Sequence, residues 1–167
     1  MTTPITGGLL LERVEFTDDL VPATLPVGTS STHRVLLRTC VPANPGDRLD
    51  VTARAQITND TGKVIGVGCH LWVYDVDIEP VVPVSQRPWT RIAPHLADNC
   101  PPDRHHMPLH MGAWWTVPED WPPGHRVMVA FQAAAFRTSP LPGETVRVDH
   151  GYGQLVIRRY VPAPQPA

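Results

Sequence analysis

The segment Asp98–Trp121 concentrates the side chains of this sequence that could do chemistry. Its 24 residues include three histidines, one cysteine, four acidic residues and three tryptophans. Histidine, cysteine and carboxylate side chains bind metals and transfer protons, whereas tryptophan and histidine also populate protein contact surfaces. The segment could therefore be a metal site, a catalytic site or a contact surface. Which of these it is depends on the secondary-structure elements that position its side chains.

The spacing of the histidines argues against a metal site. His105 and His106 are adjacent, so on a strand their side chains point in opposite directions. His106 and His110 share a face, but their Cα atoms are about 13 Å apart on a strand, too far for one metal ion unless Pro108 bends the chain. The HxH pair of a cupin is missing from the sequence, so a cupin-like metalloenzyme is the weakest alternative. We expect no metal and no other cofactor.

No pattern typical of nucleophilic catalysis or of phosphate binding occurs in the sequence. None of the serines lies in a GxSxG motif, and no nucleophile stands at a useful spacing from Asp103 and His105. The GVGCH run at 66–70 lacks the Lys-Ser/Thr ending of a phosphate-binding loop. We therefore expect a protein that is not an enzyme.

An acidic pair, Glu119 and Asp120, lies beside Trp121, and Trp114 and Trp115 precede it closely. Tryptophan rings can stack on sugars, while carboxylates accept hydrogen bonds from sugar hydroxyls. This combination leaves a carbohydrate-binding module open as an alternative function of another class.

Composition and charge exclude further classes. The 167 residues carry a net charge of −2, so no basic excess is available to neutralise nucleic acid, and we expect no nucleic-acid partner. No apolar run approaches the roughly 20 residues of a membrane helix, and the first residues lack a secretion signal, so we expect no membrane association. The three cysteines, Cys40, Cys69 and Cys100, form no CxxC pair, which predicts buried reduced thiols.

The elements that position the segment are predicted to be short strands, because 20 prolines leave little room for helices. Apolar and polar residues alternate strictly over 49–58, and a second alternating run covers 65–73. The intervening residues, Asn59–Lys63, have the composition of a hairpin loop. The two runs therefore predict a β-hairpin over residues 49–75.

Further runs predict strands at about 33–41 and 127–136, with a long proline-rich connection over 76–104. The C-terminal run ETVRVDHGYGQLVIRRY, residues 144–160, changes its apolar face at GYG, which predicts a bulge or a bend where one strand crosses between two sheets. These features predict an all-β fold, an antiparallel β-sandwich with jelly-roll topology and about eight strands. We expect an N-terminal extension or arm at 1–32, the sandwich domain at 33–161 and a proline-rich tail at 162–167.

The second strand of the predicted hairpin carries an aromatic stripe of His70, Trp72 and Tyr74 on its outward face. Either the long connection covers this stripe as a second core layer, or the stripe contacts another chain. Because residues 128–136 are also apolar on their second face, we predict a homo-oligomer built on these faces. The candidate interface residues are His70, Trp72, Tyr74, Trp114, Trp115, Met128 and Phe136.

The stretch VLLRTCVPANPGDRLDVTARAQITNDTGKVIGVGCHLWVYD resembles proteins of bacteriophages and actinobacteria that have a TNF/C1q-like jelly roll. In that pattern a Pro-Gly turn leads into a strand of the LxVxAxAxxTN type, and a strand ending in CxLxVxD follows. Asn59, Cys69 and Asp75 are its most suggestive positions. The likeness continues through PPGHRVMVAFQ and GQLVIRRY and covers about residues 33–161. The chain departs from the pattern in the 76–104 connection and in the segment rich in tryptophan and histidine.

The resemblance implies a virion structural protein without catalytic residues, found in the phage particle after synthesis in the host cytoplasm. Such jelly rolls decorate phage heads or serve on tails as accessory and receptor-binding domains, and they commonly form trimers. On this basis we expect a capsid decoration protein, with a tail accessory or receptor-binding protein as the alternative. Its expected partners are copies of itself, as a trimer, and the major capsid protein or tail proteins of the phage.

Overall fold

The computed structural model describes residues 9–17, 24–29, 33–77, 89–94 and 96–161, which form strands, turns and connections without a helix. The strands build two sheets that enclose one apolar core. They are β1 (Leu9–Thr17), β2 (Thr24–Gly28), β3 (Arg34–Pro42), β4 (Arg48–Asn59), β5 (Ile65–Asp75), β6 (Thr90–Arg91), β7 (Leu96–Cys100), β8 (Arg104–Thr116), β9 (Arg126–Phe136), β10 (Thr145–Val148) and β11 (Gly153–Val161).

The first sheet, which we call the β4 sheet, has β4 at its centre. On one side β4 pairs antiparallel with β8. On the other side it pairs with β11 and β10, which follow one another along the same edge, and β1 pairs with β11 at the outside. Residues 149–152 interrupt this edge between β10 and β11. The predicted interruption at GYG is therefore present, but it does not move the strand to the other sheet.

The second sheet, which we call the β9 sheet, has β9 at its centre. It pairs with β5 on one side and with β3 on the other, while β6 and β7 pair with the far edge of β5. Strand β2 makes the crossing between the sheets, since it is antiparallel to β10 in one and parallel to β9 in the other.

Alternating apolar residues from both sheets form the core, as the period of two in the sequence predicts. All the predicted inward positions of β4 and β5 are at most 2% exposed, and Phe131 on β9 is the largest of the fully buried side chains. Burying one side chain of this kind stabilises a fold by about 1.5–3 kcal/mol. The inward positions of the two strands are Leu49, Val51, Ala53, Ala55, Ile57, Ile65, Val67, Cys69, Leu71 and Val73.

The predicted hairpin over 49–75 is wrong, although both of its strands exist. Strand β4 lies in one sheet and β5 in the other, and no pairing joins them in the described part of the chain. Asn59 makes the corner between the sheets: its buried amide nitrogen lies 2.8 Å from the backbone oxygen of Lys63, 3.1 Å from that of Cys100 and 2.9 Å from that of Pro101. Turn residues fix the local backbone and leave the choice of partner strand to the rest of the fold.

The segment 1–32, which we expected to be an extension or arm, contributes strands to the sandwich. Strand β1 pairs with β11 along its whole length, and β2 joins β10 to β9. The sandwich therefore has eleven strands in its described ranges rather than about eight, and the parallel β2–β9 pairing makes the β9 sheet mixed. The predicted tail at 162–167 lies outside the described residues.

Candidate functional site

Strand β8 carries most of the segment rich in tryptophan and histidine along one side of the β4 sheet. Its side chains alternate, so His110 and Trp114 are exposed while Leu109 is buried in the core. Pairing with β4 continues without a shift past Pro108, so this proline does not bend the strand. Among the described residues β8 has no strand on its other side, and a proline removes one backbone donor from such an edge. Strand β8 is thus an edge strand of the β4 sheet.

Trp114 stands at one end of the outer face of the β4 sheet and is 54% exposed. Its ring centroid lies 5.4 Å from that of Tyr160 on β11, and the guanidinium carbon of Arg48 lies 5.2 Å from the indole centroid. Such aromatic and cation–π contacts orient the indole while they leave much of it open to solvent. We call Trp114, Tyr160 and Arg48 the Trp114 patch.

An open cleft of about 650 Å³ lies farther along the same face, between β8 and the turn at 149–152. Arg54 on β4 lies directly opposite His110 on β8 and Gln154 on β11, and all three line the cleft. Tyr152 lines it from the turn and is 46% exposed. We call this the Arg54 cleft. Its lining combines polar side chains with a larger apolar surface, and an aromatic ring lies at one side.

The turn that carries Tyr152 is held by Asp149, whose side chain is 5% exposed. The Thr58 hydroxyl donates to this carboxylate at 2.9 Å, and Arg147 Nε lies 3.2 Å from it. The backbone nitrogen of Asp149 donates to the carbonyl of Gln56 at 2.9 Å. A buried carboxylate with several donors is a rigid support, because moving it away from these donors would leave a buried charge unpaired. Asp149 therefore fixes the position of Tyr152 relative to β4.

The three histidines of the segment have different surroundings. His106, at a bulge where its φ is 52°, places Nδ1 3.2 Å from the Asp149 carboxylate. His105 lies 3.7 Å from Asp60, whereas His110 lines the Arg54 cleft. Within the described ranges, no three His, Cys, Asp or Glu residues are grouped as metal ligands would be.

The aromatic stripe on β5 is not an open surface. Tyr74 is 4% exposed, and its ring centroid lies 4.2 Å from that of Trp89, which belongs to the predicted long connection. His70 stacks on His33 with centroids 4.0 Å apart, and Trp72 is half-buried. Two alternatives were predicted for this stripe, cover by the long connection and contact with another chain. The contacts within this chain agree with the first of them.

The remaining candidate interface residues are also largely covered. Met128 is half-buried, with its sulfur 3.7 Å from Cys40 Sγ, and Phe136 is half-buried. Trp115 points to the core and packs edge-on against Trp121, with ring centroids 5.4 Å apart. Of the seven candidate interface residues, only Trp114 is exposed. The part of the predicted interface that is open to solvent is therefore the Trp114 patch.

The cysteines have no role at this face. None of the three forms a disulfide, and Cys69 and Cys100 are buried. Burial raises the pKa of the Cys69 thiol to about 12 and also raises the pKa of Cys100. These two thiols are protonated packing residues, as the sequence predicts, whereas Cys40 is half-buried.

Sequence reasoning missed Arg54, Gln154 and Tyr152. Alternation marks Arg54 as outward, but only the pairing of β4 with both β8 and β11 brings it beside His110 and Gln154. No local pattern in the sequence predicts the register of β4 with these two strands.

The fold is a β-sandwich of the kind found in viral capsids. A solved structure of infectious bursal disease virus, Gx strain, matches 94% of this chain with a TM-score of 0.52 and 9% identity. The chain spans 43% of the length of that protein. The VP2 subviral particle of the same virus matches 90% of the chain and 38% of its own, with a TM-score of 0.46 and 10% identity.

A carbohydrate-binding module of the β-sandwich superfamily matches 93% of the chain and 54% of its own, with a TM-score of 0.29 and 12% identity. Identities this low show a likeness of fold alone. No protein-family model matches the sequence, and neither does any curated protein. No helix in the described ranges is long and apolar enough to cross a membrane.

Proposed function

We propose that this chain is a non-enzymatic structural protein of a virus particle. The observation that carries the proposal is the likeness of its sandwich, over 94% of its length, to a structure of infectious bursal disease virus. More specifically, we propose a capsid decoration protein of a bacteriophage, supported by the resemblance of β3, β4 and β5 to phage jelly-roll patterns. A tail accessory or receptor-binding protein is the alternative that the same resemblance supports.

The surface that fits a contact with another protein best is the Trp114 patch. Tryptophan, tyrosine and arginine are the residue types that dominate binding energy at protein interfaces. The patch adjoins the edge of β8, where a partner would also meet backbone groups. We propose that this patch, rather than Trp72, anchors a homo-oligomer, for which a trimer is favoured, or the contact with the major capsid protein.

The test is co-sedimentation of the purified chain with capsids and, separately, with tails of the phage that encodes it. Sedimentation velocity of the chain alone measures self-association. We expect binding to capsids, and we expect Trp114→Ser to weaken capsid binding or self-association at least tenfold, since hot-spot truncation costs about 2 kcal/mol or more.

The matched control is Leu141→Ser, which removes another exposed apolar side chain, 62% exposed, in the loop before β10. It should leave both measurements unchanged. Binding to tails alone would favour the alternative over a decoration protein. A monomer that binds neither particle would contradict the proposal as a whole.

A further inference from the structure

The Arg54 cleft brings together two nitrogen-rich side chains that have no acidic partner among the described residues. Arg54 and His110 are directly opposite on neighbouring strands, both are exposed, and no carboxylate of the described residues pairs with either. Two rows along β4, Arg158 on the neighbouring β11 lies 3.4 Å from the carboxylate of Asp50. Within the described ranges, the sheet thus pairs one of its outward arginines internally and leaves the guanidinium of Arg54 available.

A planar guanidinium without an internal partner matches a carboxylate in geometry as well as in charge, because two parallel N–H groups can donate to its two oxygens. Gln154 lies directly across from Arg54 on the other neighbouring strand and adds an amide to the same row. This row of guanidinium, imidazole and amide groups is suited to an anionic and heavily hydroxylated ligand.

Two further features point to a sugar ring. Tyr152 offers an exposed aromatic ring at the side of the cleft, held in place by the Asp149 support. Gln56 lines the cleft as well, and its buried Oε1 has no hydrogen-bond partner in the described part of the chain. Buried polar atoms are normally paired. After a small rotation of the amide, a ligand hydroxyl could donate to this oxygen.

We propose that the Arg54 cleft binds a carboxylate-bearing saccharide, with the carboxylate on Arg54 and a sugar ring against Tyr152. An acidic peptide is the less suitable ligand. Peptides gain affinity by adding a strand to an open sheet edge, whereas the cleft floor is β4, which is paired on both sides. The proposal does not depend on the assignment to a virus particle, and it uses residues outside the Trp114 patch.

The experiment is calorimetric titration of the full chain with 3′-sialyllactose and with trigalacturonate. The methyl esters of 3′-sialyllactose and of trigalacturonate serve as uncharged matches, and hexaglutamate serves as the acidic peptide. We expect one of the two acidic saccharides to bind and its uncharged match to bind at least tenfold more weakly. Added salt should weaken the interaction, because part of it is electrostatic.

Variants then locate the site. Arg54→Gln should weaken binding of the acidic saccharide at least tenfold, and Tyr152→Ala should weaken binding of both charged and uncharged forms. Arg38→Gln, which removes an exposed arginine from β3 in the other sheet, should change nothing. Circular dichroism of each variant separates loss of the site from loss of the fold.

Three results would overturn the proposal. The first is that neither acidic saccharide binds. The second is that Arg54→Gln and Arg38→Gln have equal effects, since binding would then reflect overall charge. The third is that hexaglutamate binds as tightly as the saccharides, because the cleft would then recognise charge without a sugar.

Discussion

The outer faces of the two sheets differ in what they leave open to solvent. On the β9 sheet, Ala130 and Ala134 point outward and yet are 0% and 1% exposed, and Tyr74 is covered by Trp89. On the β4 sheet, the outward residues His110 and Trp114 are exposed. One face is a second packed layer, and the other is available for contact with other molecules.

The difference follows from the strands at the centre of each sheet. Strand β4 alternates between apolar and polar residues, so it needs only one covered face. Strand β9 is apolar on both faces, so further parts of the chain must shield its outer side. Because the chain itself covers the outer face of the β9 sheet, the outer face of the β4 sheet is the one available for binding. This is why we place both proposed sites on the β4 sheet.

The largest effect is expected where a charge enters the covered face. Ala130→Asp should lower the free energy of unfolding by about 3 kcal/mol, because it buries an unpaired carboxylate. Thr116→Asp, on the exposed side of β8, should change it by no more than about 0.5 kcal/mol. Urea denaturation followed by circular dichroism measures both. Equal losses would mean that the two outer faces are equally open.

A smaller effect is expected from adding one methyl group to each face. A Cβ on Gly66 would lie 2.5 Å from Cε2 of Phe136, so Gly66→Ala should cost about 1–2 kcal/mol through overpacking. A Cβ on Gly112 would meet only the carbonyl oxygen of Val51, at 3.6 Å. Gly112→Ala should leave stability unchanged or raise it by about 0.5 kcal/mol, by restricting the unfolded chain. Thermal melting measures both variants. A lower melting temperature for Gly112→Ala than for Gly66→Ala would contradict the comparison of the two faces.

The smallest effect concerns pH at the end of β9. Hydrogen bonds from the side chain and backbone of Arg126 lower the pKa of Asp77 from 3.8 to about 2. Because the folded-state pKa is the lower one, this contribution to stability is present above pH 3.8 and is lost as the pH falls through about 2. It should be small, since the pair is largely solvated.

The measurement is the stability difference between the parent chain and Asp77→Asn, which should shrink as the pH falls from 4 to 2. Glu119→Gln, in an exposed turn, serves as the control and should show no comparable change. A difference for Asp77→Asn that stayed constant over this range would contradict the assigned role of Arg126.

The parts of the fold that the sequence predicted correctly are those governed by local periodicity. Alternation over β4 and β5 identified the inward residues, because successive side chains of a strand must face opposite sides. The hairpin was predicted wrongly because Asn59–Lys63 suits both a hairpin and a crossing between sheets. Hydrogen bonds of Asn59 to the carbonyls of Cys100 and Pro101, far along the chain, accompany the crossing.

The sequence by itself determined strands such as β4 and β5 with their buried faces, the buried thiols of Cys69 and Cys100, and the absence of a nucleophile motif. Each of these depends on residue type and short-range spacing. Only the tertiary structure decided which strands are neighbours, which outer face is covered, and that Arg54, His110 and Tyr152 share one cleft. The reason is physical: strand pairing and burial depend on contacts between residues far apart in the chain, and alternation encodes which side a residue faces without encoding what it will meet there.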